Sequence, residues 1–274
     1  MNFSLARQRF YQEIRQPEIN LAKAALYLAQ EEYPDLEVER YLDQLDQMAI
    51  AVADRLPLER YPLRIIQTLN QYLFDEQGFN GNTADYYDPD NSYLNRVLER
   101  RTGIPITLSL VYLEVAARIG FPMVGVNMPG HFMIRPVIDE MQVFVDPFHQ
   151  GEVLFEADCQ ERLSQIFSRP VVFQPEFATP VASAQFLARI LGNLKAIYIS
   201  QNRAAKALDA IDRVLMLFPD APFELRDRGL MYYQMGQWAS ASRDLNAYLE
   251  QAPTARDADS IRTLLQRIQD LPAS

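Results

Sequence analysis

Cysteine occurs once in the 274 residues, at Cys159, and histidine twice, at His131 and His149. One thiol excludes an internal disulfide, and one Cys with two His cannot complete any of the usual closed zinc sites. A chain without disulfides fits a reducing compartment, so a cytoplasmic location is expected. No run approaches the roughly 18 apolar residues that a spanning helix needs, and the start, MNFSLARQRF, lacks the apolar core of a leader. Neither membrane insertion nor secretion is expected. Basic residues are outnumbered, 26 Lys and Arg against 36 Asp and Glu, giving a net charge of −10. Phosphate contacts come largely from Lys and Arg, so nucleic acid is not an expected partner. Apolar residues are plentiful: 49% hydrophobic and 11% aromatic, enough to bury a core and to exclude disorder for most of the chain.

Up to about Phe74 the apolar residues recur at helical spacing. Leu21, Ala24, Ala25 and Leu28 form one stripe, and Tyr41, Leu42, Leu45, Met48, Ala49 and Val52 another. Pro17, Pro34, Pro57 and Pro62 fall between the stripes, which predicts three or four helices. The stretch from Gly78 to Ser92 is too rich in Asn, Asp and Gly for a regular element and reads as an ordered loop, with Tyr86 and Tyr87 as apolar anchors.

A short helix from Ser92 precedes Gly103-Ile-Pro. The run from Ile106 to Ile119 then carries Leu108, Val111, Tyr112, Val115, Ala116 and Ile119 as a wide apolar face, predicting a central helix. Pro105 suits its first turn and Gly120 the position just past its end. Three β-type runs follow, Met123–Met128, His131–Val137 and Met141–Asp146, with Ile138-Asp139-Glu140 as the turn between the last two. The fold class expected for residues 1–175 is therefore α+β, a helical part followed by an antiparallel sheet.

From about Leu187 the pattern is wholly helical and repeats. Pro219 and Pro253 are 34 residues apart, and the same offset superposes Leu191 on Leu225, Tyr198 on Tyr232, Ala207 on Ala241 and Ile211 on Leu245. That period and those residue types match the tetratricopeptide repeat, with Lys195 standing where a small residue is usual. An all-α repeat domain over residues 182–274 is expected, leaning on the first domain or on a terminal helix, Asp259–Leu271. The domain boundary is expected in Ser168–Val181, where Pro170, Pro175 and Pro180 recur.

A hairpin centred on Ile138-Asp139 would set His131 directly opposite Asp146, with both side chains on one face. A carboxylate beside an imidazole fixes its tautomer, as in the base-and-orienter half of a nucleophilic triad, and it also serves as a purely structural pair. Ser109 and Thr107, on the following turns of the central helix, are the hydroxyls that could meet His131; Ser and Thr in a helix also bond back to the preceding turn. Asn91 and Asn95 are candidates for orienting loops. His149 would complete a set of two His and one carboxylate, but it reads as a solvated turn residue, so no metal or other cofactor is assigned.

The order Gly103, long helix, Gly120-Phe-Pro, strand, Gly130-His131-Phe, strand, Phe144-Val-Asp146-Pro resembles the transglutaminase-like core of papain-type cysteine enzymes. Closer still, Tyr86-Tyr-Asp-Pro-Asp-Asn-Ser-Tyr-Leu-Asn95, Arg100-Arg-Thr-Gly-Ile-Pro-Ile-Thr-Leu-Ser109, Pro129-Gly-His-Phe132 and Val145-Asp-Pro-Phe148, followed by tetratricopeptide repeats, resemble the SirB-type family over nearly the whole chain. The resemblance implies His131 as base and Asp146 as its orienter. It also implies a catalytic Cys opening the central helix, about fifteen residues before its closing Gly, and there this chain has Pro105. Cys159 lies beyond the sheet, and nothing in its spacing brings it to His131.

Two functions are therefore expected in competition. One is a non-catalytic protein- or peptide-binding scaffold, in which Asn193, Arg203, Arg226 and Arg228 of the repeats could meet a peptide carboxylate. The other is a Cys-independent amidohydrolase or acyl transferase using Ser109 or Thr107 with His131 and Asp146. A regulatory role in gene expression, which the family's name suggests, would run through a protein partner because the chain is acidic.

Overall fold

Proline and polar residues divide the N-terminal part into four helices in the computed structural model, which describes residues 4–138 and 142–270. They are α1 (Leu5–Glu13), α2 (Leu21–Gln30), α3 (Val38–Ala53) and α4 (Pro62–Asn70), the last running on into a π-helical turn, Gln71–Glu76. The Ser4 hydroxyl caps α1, the Asn20 side-chain Oδ1 accepts from Lys23 N at 2.9 Å at the head of α2, and Pro62 sits in the first turn of α4. The expected stripe of α3 is buried at Tyr41, Leu45, Met48, Ala49 and Val52, whereas α2 is buried almost all round.

The polar stretch after Gly78 is more regular than expected. Strand β1 (Asn80–Gly81) pairs in parallel with β2 (Thr102–Gly103), and a 3-10 turn spans Pro89–Ser92. Two-residue strands carry no periodicity, so nothing in the hydrophobic pattern marks them. Between them lies α5 (Leu94–Arg100), closed by Arg101 at φ 58°.

Helix α6 (Pro105–Arg118) is the centre of the first unit: every residue from Pro105 to Leu113 is buried. Pro105 occupies its first turn, and Gly120 follows it at φ +74°, as expected of the two helix ends. Against it lies a four-stranded antiparallel sheet in the order β3 (Met123–Met128), β4 (His131–Pro136), β5 (Val143–Asp146), β6 (Glu152–Phe155). The fourth strand was not expected from the sequence. Ile134 pairs with Val145, a register that moves Asp146 two positions along from the expected pairing with His131. A shift of two leaves both side chains on the same face, because the side-chain period of a strand is two. The β4–β5 connection is longer than a two-residue turn; Asp139, Glu140 and Met141, where the expected turn and third strand began, lie outside the described residues.

Helix α7 (Glu156–Ile166) closes one face of the sheet, where Val126, Met128, Met133, Phe144 and Leu154 pack with Cys159 and Leu163. On the other face Phe132 meets Phe186, ring centroids 5.0 Å apart, and a Cβ on Gly125 would come within 2.6 Å of the Phe132 ring.

The chain forms two units, Met1–Ile190 and Leu191–Ser274, divided inside α8 (Ser183–Ser200). The division falls later than the proline-rich segment because the first turns of α8 belong to the sheet: Phe186 lies on Phe132, and Arg189 reaches Asn127 at 2.5 Å. The second unit continues with α9 (Ala204–Leu217), α10 (Pro222–Gln234), α11 (Trp238–Gln251) and α12 (Ala258–Gln269). Equivalent repeat positions share one environment, since Ala207, Ala241, Ile211 and Leu245 are all fully buried. Gly229 lets α10 approach α11 so closely that a Cβ would meet Leu245 at 2.7 Å. Ile261, Leu265 and Ile268 of α12 complete this core, so the terminal helix supplies the cap that two repeats need. Among the described residues no helix is long and apolar enough to cross a membrane.

Candidate functional site around Asp146

Asp146 ends β5 with its carboxylate fully buried, and everything at this site is arranged about it. Its Oδ1 accepts the N–H groups of Phe148 (3.1 Å) and His149 (3.3 Å), capping the 3-10 turn Pro147–His149 that follows. Its Oδ2 lies 2.8 Å from His131 Nε2, 2.7 Å from His149 Nδ1 and 2.7 Å from Arg162 Nη1. Arg162 reaches in from α7 and holds Glu152 Oε2 at 2.6 Å with its other terminal nitrogen. Burial pushes the Asp146 carboxyl up, but hydrogen bonds and charge from His131 and His149 outweigh it and hold the carboxyl below its ordinary value. A carboxylate only accepts, so His131 donates from Nε2.

The pair expected from the sequence, His131 with Asp146, is thus in direct contact. His149 differs from its expected place in solvent. It is 52% exposed at the side chain, yet its inner nitrogen is bound to Asp146, because an Asp-capped 3-10 turn brings residues i and i+3 together. Arg162 and Glu152 had no signal in the sequence, since their approach depends on how α7 lies across β6.

Phe148 fills the space beside the imidazoles. Its ring is edge-on to His131, His149 and Tyr86, and a Cβ on Gly81 would meet it at 2.6 Å. Gly81 pairs with Gly103, two residues before Pro105. The Phe148 ring therefore packs between His131 and the strand pair that leads into α6. Tyr87 stands against Tyr86, centroids 5.4 Å apart, and is largely exposed.

The candidate hydroxyls are both buried. Thr107 Oγ1 donates to Asn91 O at 2.7 Å and accepts from Ile104 N at 3.2 Å, tying the start of α6 to the preceding loop. Ser109 Oγ makes no hydrogen bond in the structure, to His131 or to any other group. Asn91 is spent on the loop: its Nδ2 donates to Asp85 O (2.7 Å) and Tyr86 O (3.2 Å), and its Oδ1 accepts from Asn82 (3.0 Å). Asn95 is buried with Oδ1 unpartnered. Cys159 lies within the sheet–α7 core, where burial pushes its thiol up to about 12.

In the second unit Asn193 is half-buried, and Arg203 is exposed with its guanidinium 4.8 Å from the Tyr198 ring. Arg226 and Arg228, expected at a peptide carboxylate, are already engaged with carboxylates of their own unit. Arg226 binds Asp227 (2.7 Å) and Asp257 (2.9 Å); Arg228 binds Asp244 (2.6 Å) and Asp212 (2.8 Å). Lys195 is likewise held by Glu224 (2.7 Å) and Asp227 (3.0 Å), which explains how a lysine replaces the small residue of the repeat.

The transglutaminase-like superfamily model matches residues 39–192, and the tetratricopeptide-repeat model residues 194–266. A UPF0162 protein of Xylella fastidiosa (strain 9a5c) is 39% identical over 247 residues, 88% of this chain and 87% of that protein. The chain belongs to this transglutaminase-like, SirB-type family. A second UPF0162 protein, from Vibrio cholerae (strain ATCC 39315), is 27% identical over 246 residues, 89% of this chain and 91% of its own length. Human F-box only protein 21 is 30% identical over 190 residues, 65% of this chain but 29% of that protein. No solved structure matches the chain. A SirB-type chain thus carries a helix-rich transglutaminase-like unit joined to repeats of a kind that generally mediates protein–protein interaction.

Proposed function

We propose that this SirB-type chain is a non-catalytic transglutaminase-like protein of the cytoplasm that binds other proteins or peptides, with the repeats as its docking part. The observation that carries the reading is Pro105 at the first position of α6, where the resemblance puts the catalytic Cys of active relatives. A proline there supplies neither a nucleophile nor an N–H for an oxyanion. Phe148 stands beside His131, ring centroids 6.3 Å apart. His131 and Asp146 are then a structural pair, and Asn91 holds the loop through Asp85 O and Tyr86 O rather than a ligand. On the repeats, Arg203 and Asn193 are the residues proposed to meet a peptide, while Arg226 and Arg228 stabilise the unit itself.

The competing reading, acyl transfer from Ser109 or Thr107 with His131 as base, has in its favour only that Ser109 Oγ is buried and unpaired. A hydroxyl-directed fluorophosphonate probe separates the two. Intact-mass analysis of the full chain is expected to show no adduct, whereas an adduct on Ser109 or Thr107 that vanishes in His131→Ala overturns the non-catalytic reading.

A further inference from the structure

Both histidines of the chain, 18 positions apart, converge on one oxygen of one buried carboxylate. The hydrogen-bond accounting at that carboxylate does not close. Asp146 has about four lone-pair sites, yet five donors reach it, two on Oδ1 and three on Oδ2. The surplus is on Oδ2, which has two lone pairs for His131 Nε2, His149 Nδ1 and Arg162 Nη1. Converting the two imidazole nitrogens from donors to acceptors removes it. One lone pair each from His131 Nε2, His149 Nδ1 and Asp146 Oδ2 then point at a common centre, the second lone pair of Oδ2 stays with Arg162, and Oδ1 keeps its two backbone N–H groups.

We propose that His131, Asp146 and His149 form a binding site for a first-row divalent transition-metal ion such as Zn²⁺. The three ligand atoms lie within 4.8 Å of one another. Bond lengths of roughly 2.0–2.2 Å require Oδ2 and the two nitrogens to part by about half an ångström, a movement available to His149, whose side chain is half-exposed. Each imidazole binds the ion in its neutral form, with its proton on the other ring nitrogen. Two imidazoles and one carboxylate suit Zn²⁺, Fe²⁺ or Ni²⁺ better than the all-oxygen cations Ca²⁺ and Mg²⁺. Arg162 is the nearby cation that would oppose binding, and Glu152 answers its charge at 2.6 Å, leaving the Asp146 charge for the ion. With three protein ligands the site is of the open kind, its remaining positions facing the exposed side of His149 and filled by water. The proposal does not depend on what the repeats bind.

The test is equilibrium dialysis of the full chain, without a polyhistidine tag, against Zn²⁺ and Co²⁺, with metal analysis and a visible spectrum of the Co²⁺ form. One tightly held ion per chain is expected, together with a ligand-field band in the Co²⁺ form and a Zn²⁺-dependent rise in melting temperature. His149→Ala removes a half-exposed ring, so the fold is expected to persist by circular dichroism. It should lose more than the roughly 10–100-fold in affinity that changing a mere neighbour of a ligand costs, and should abolish the Co²⁺ band. His131→Ala is the second arm and should do the same. Weak binding of several ions by surface carboxylates, equal in the wild type and both variants, overturns the proposal, as does one tight ion whose affinity and spectrum neither substitution changes.

Discussion

Asn70 Nδ2 donates to the Gly151 carbonyl at 2.6 Å, and its Oδ1 accepts the Tyr112 hydroxyl at 3.0 Å. A side chain from α4 and one from α6 together thus fix the backbone two residues beyond His149. Gly151 stands at φ +73°, and a Cβ there would come within 2.2 Å of Asn70 Oδ1. Gly151→Ala is therefore expected to destabilise the first unit by at least about 1–2 kcal/mol from the left-handed backbone alone. Thermal unfolding checks this, and an unchanged melting temperature would contradict the role given to this contact.

Asp146 tests the buried cluster. Asp146→Ala takes the carboxylate from Arg162, which keeps Glu152, and from two imidazoles, and leaves the Phe148 and His149 N–H groups without their acceptor, a loss on the order of 3 kcal/mol. Urea unfolding should show a loss of that size, exceeding the loss in His149→Ala, whose ring is half-exposed. Equal losses would mean that the carboxylate is not the hub.

Acid stability should depend on Asp90. Burial pushes its carboxyl up, but hydrogen bonds from Tyr33 and Arg96 outweigh that and hold it below its ordinary value of 3.8. A pKa depressed by folding gives stability that is fully present above the unfolded value and is lost as the pH falls below it through the folded value. Asp90→Asn should therefore be less stable than the wild type near neutrality and should flatten the stability profile below pH 3.8. Parallel profiles for the two proteins would remove Asp90 from the account.

Cys159 should be unreactive in the folded chain. Its thiol is buried and pushed up to about 12, so almost no thiolate exists at neutral pH. An aromatic disulfide reagent at pH 8 is expected to titrate the thiol quickly after denaturation and far more slowly before it. Rapid reaction of the native protein would contradict the buried environment.

Arg228→Ala should weaken the repeat unit. Asp244, almost fully buried, would lose both nitrogens that now hold it at 2.6 and 3.1 Å. Arg243 Nε, 3.5 Å from Asp244 Oδ1, would be its remaining cation, so a loss of about 2–3 kcal/mol is expected for a buried carboxylate left poorly paired, read from the helical unfolding of the C-terminal unit.

Much of this was legible in the sequence where a period was long enough to read. The stripe Tyr41–Val52, the central helix with Pro105 and Gly120 at its ends, and the 34-residue repeat all have one dominant periodicity each. Strand pair β1–β2 was not legible because two residues make no pattern, and β6 is only four residues long, too short to show an alternation by itself. At the site, face was readable and register was not. Period two put His131 and Asp146 on one side, while the length of the β4–β5 connection set which residues oppose. Arg162 and His149 carry no signal in the sequence for a related reason. Their place depends on a tertiary approach and on a capped turn, and hydrophobic patterning carries no signal of either.

Steady-state assay of the purified full chain on amide and ester substrates asks whether the first unit does any acyl chemistry. For a non-catalytic unit, turnover at the rate of the buffer blank is expected, the same for His131→Ala. A rate that saturates with substrate and disappears in His131→Ala would contradict it.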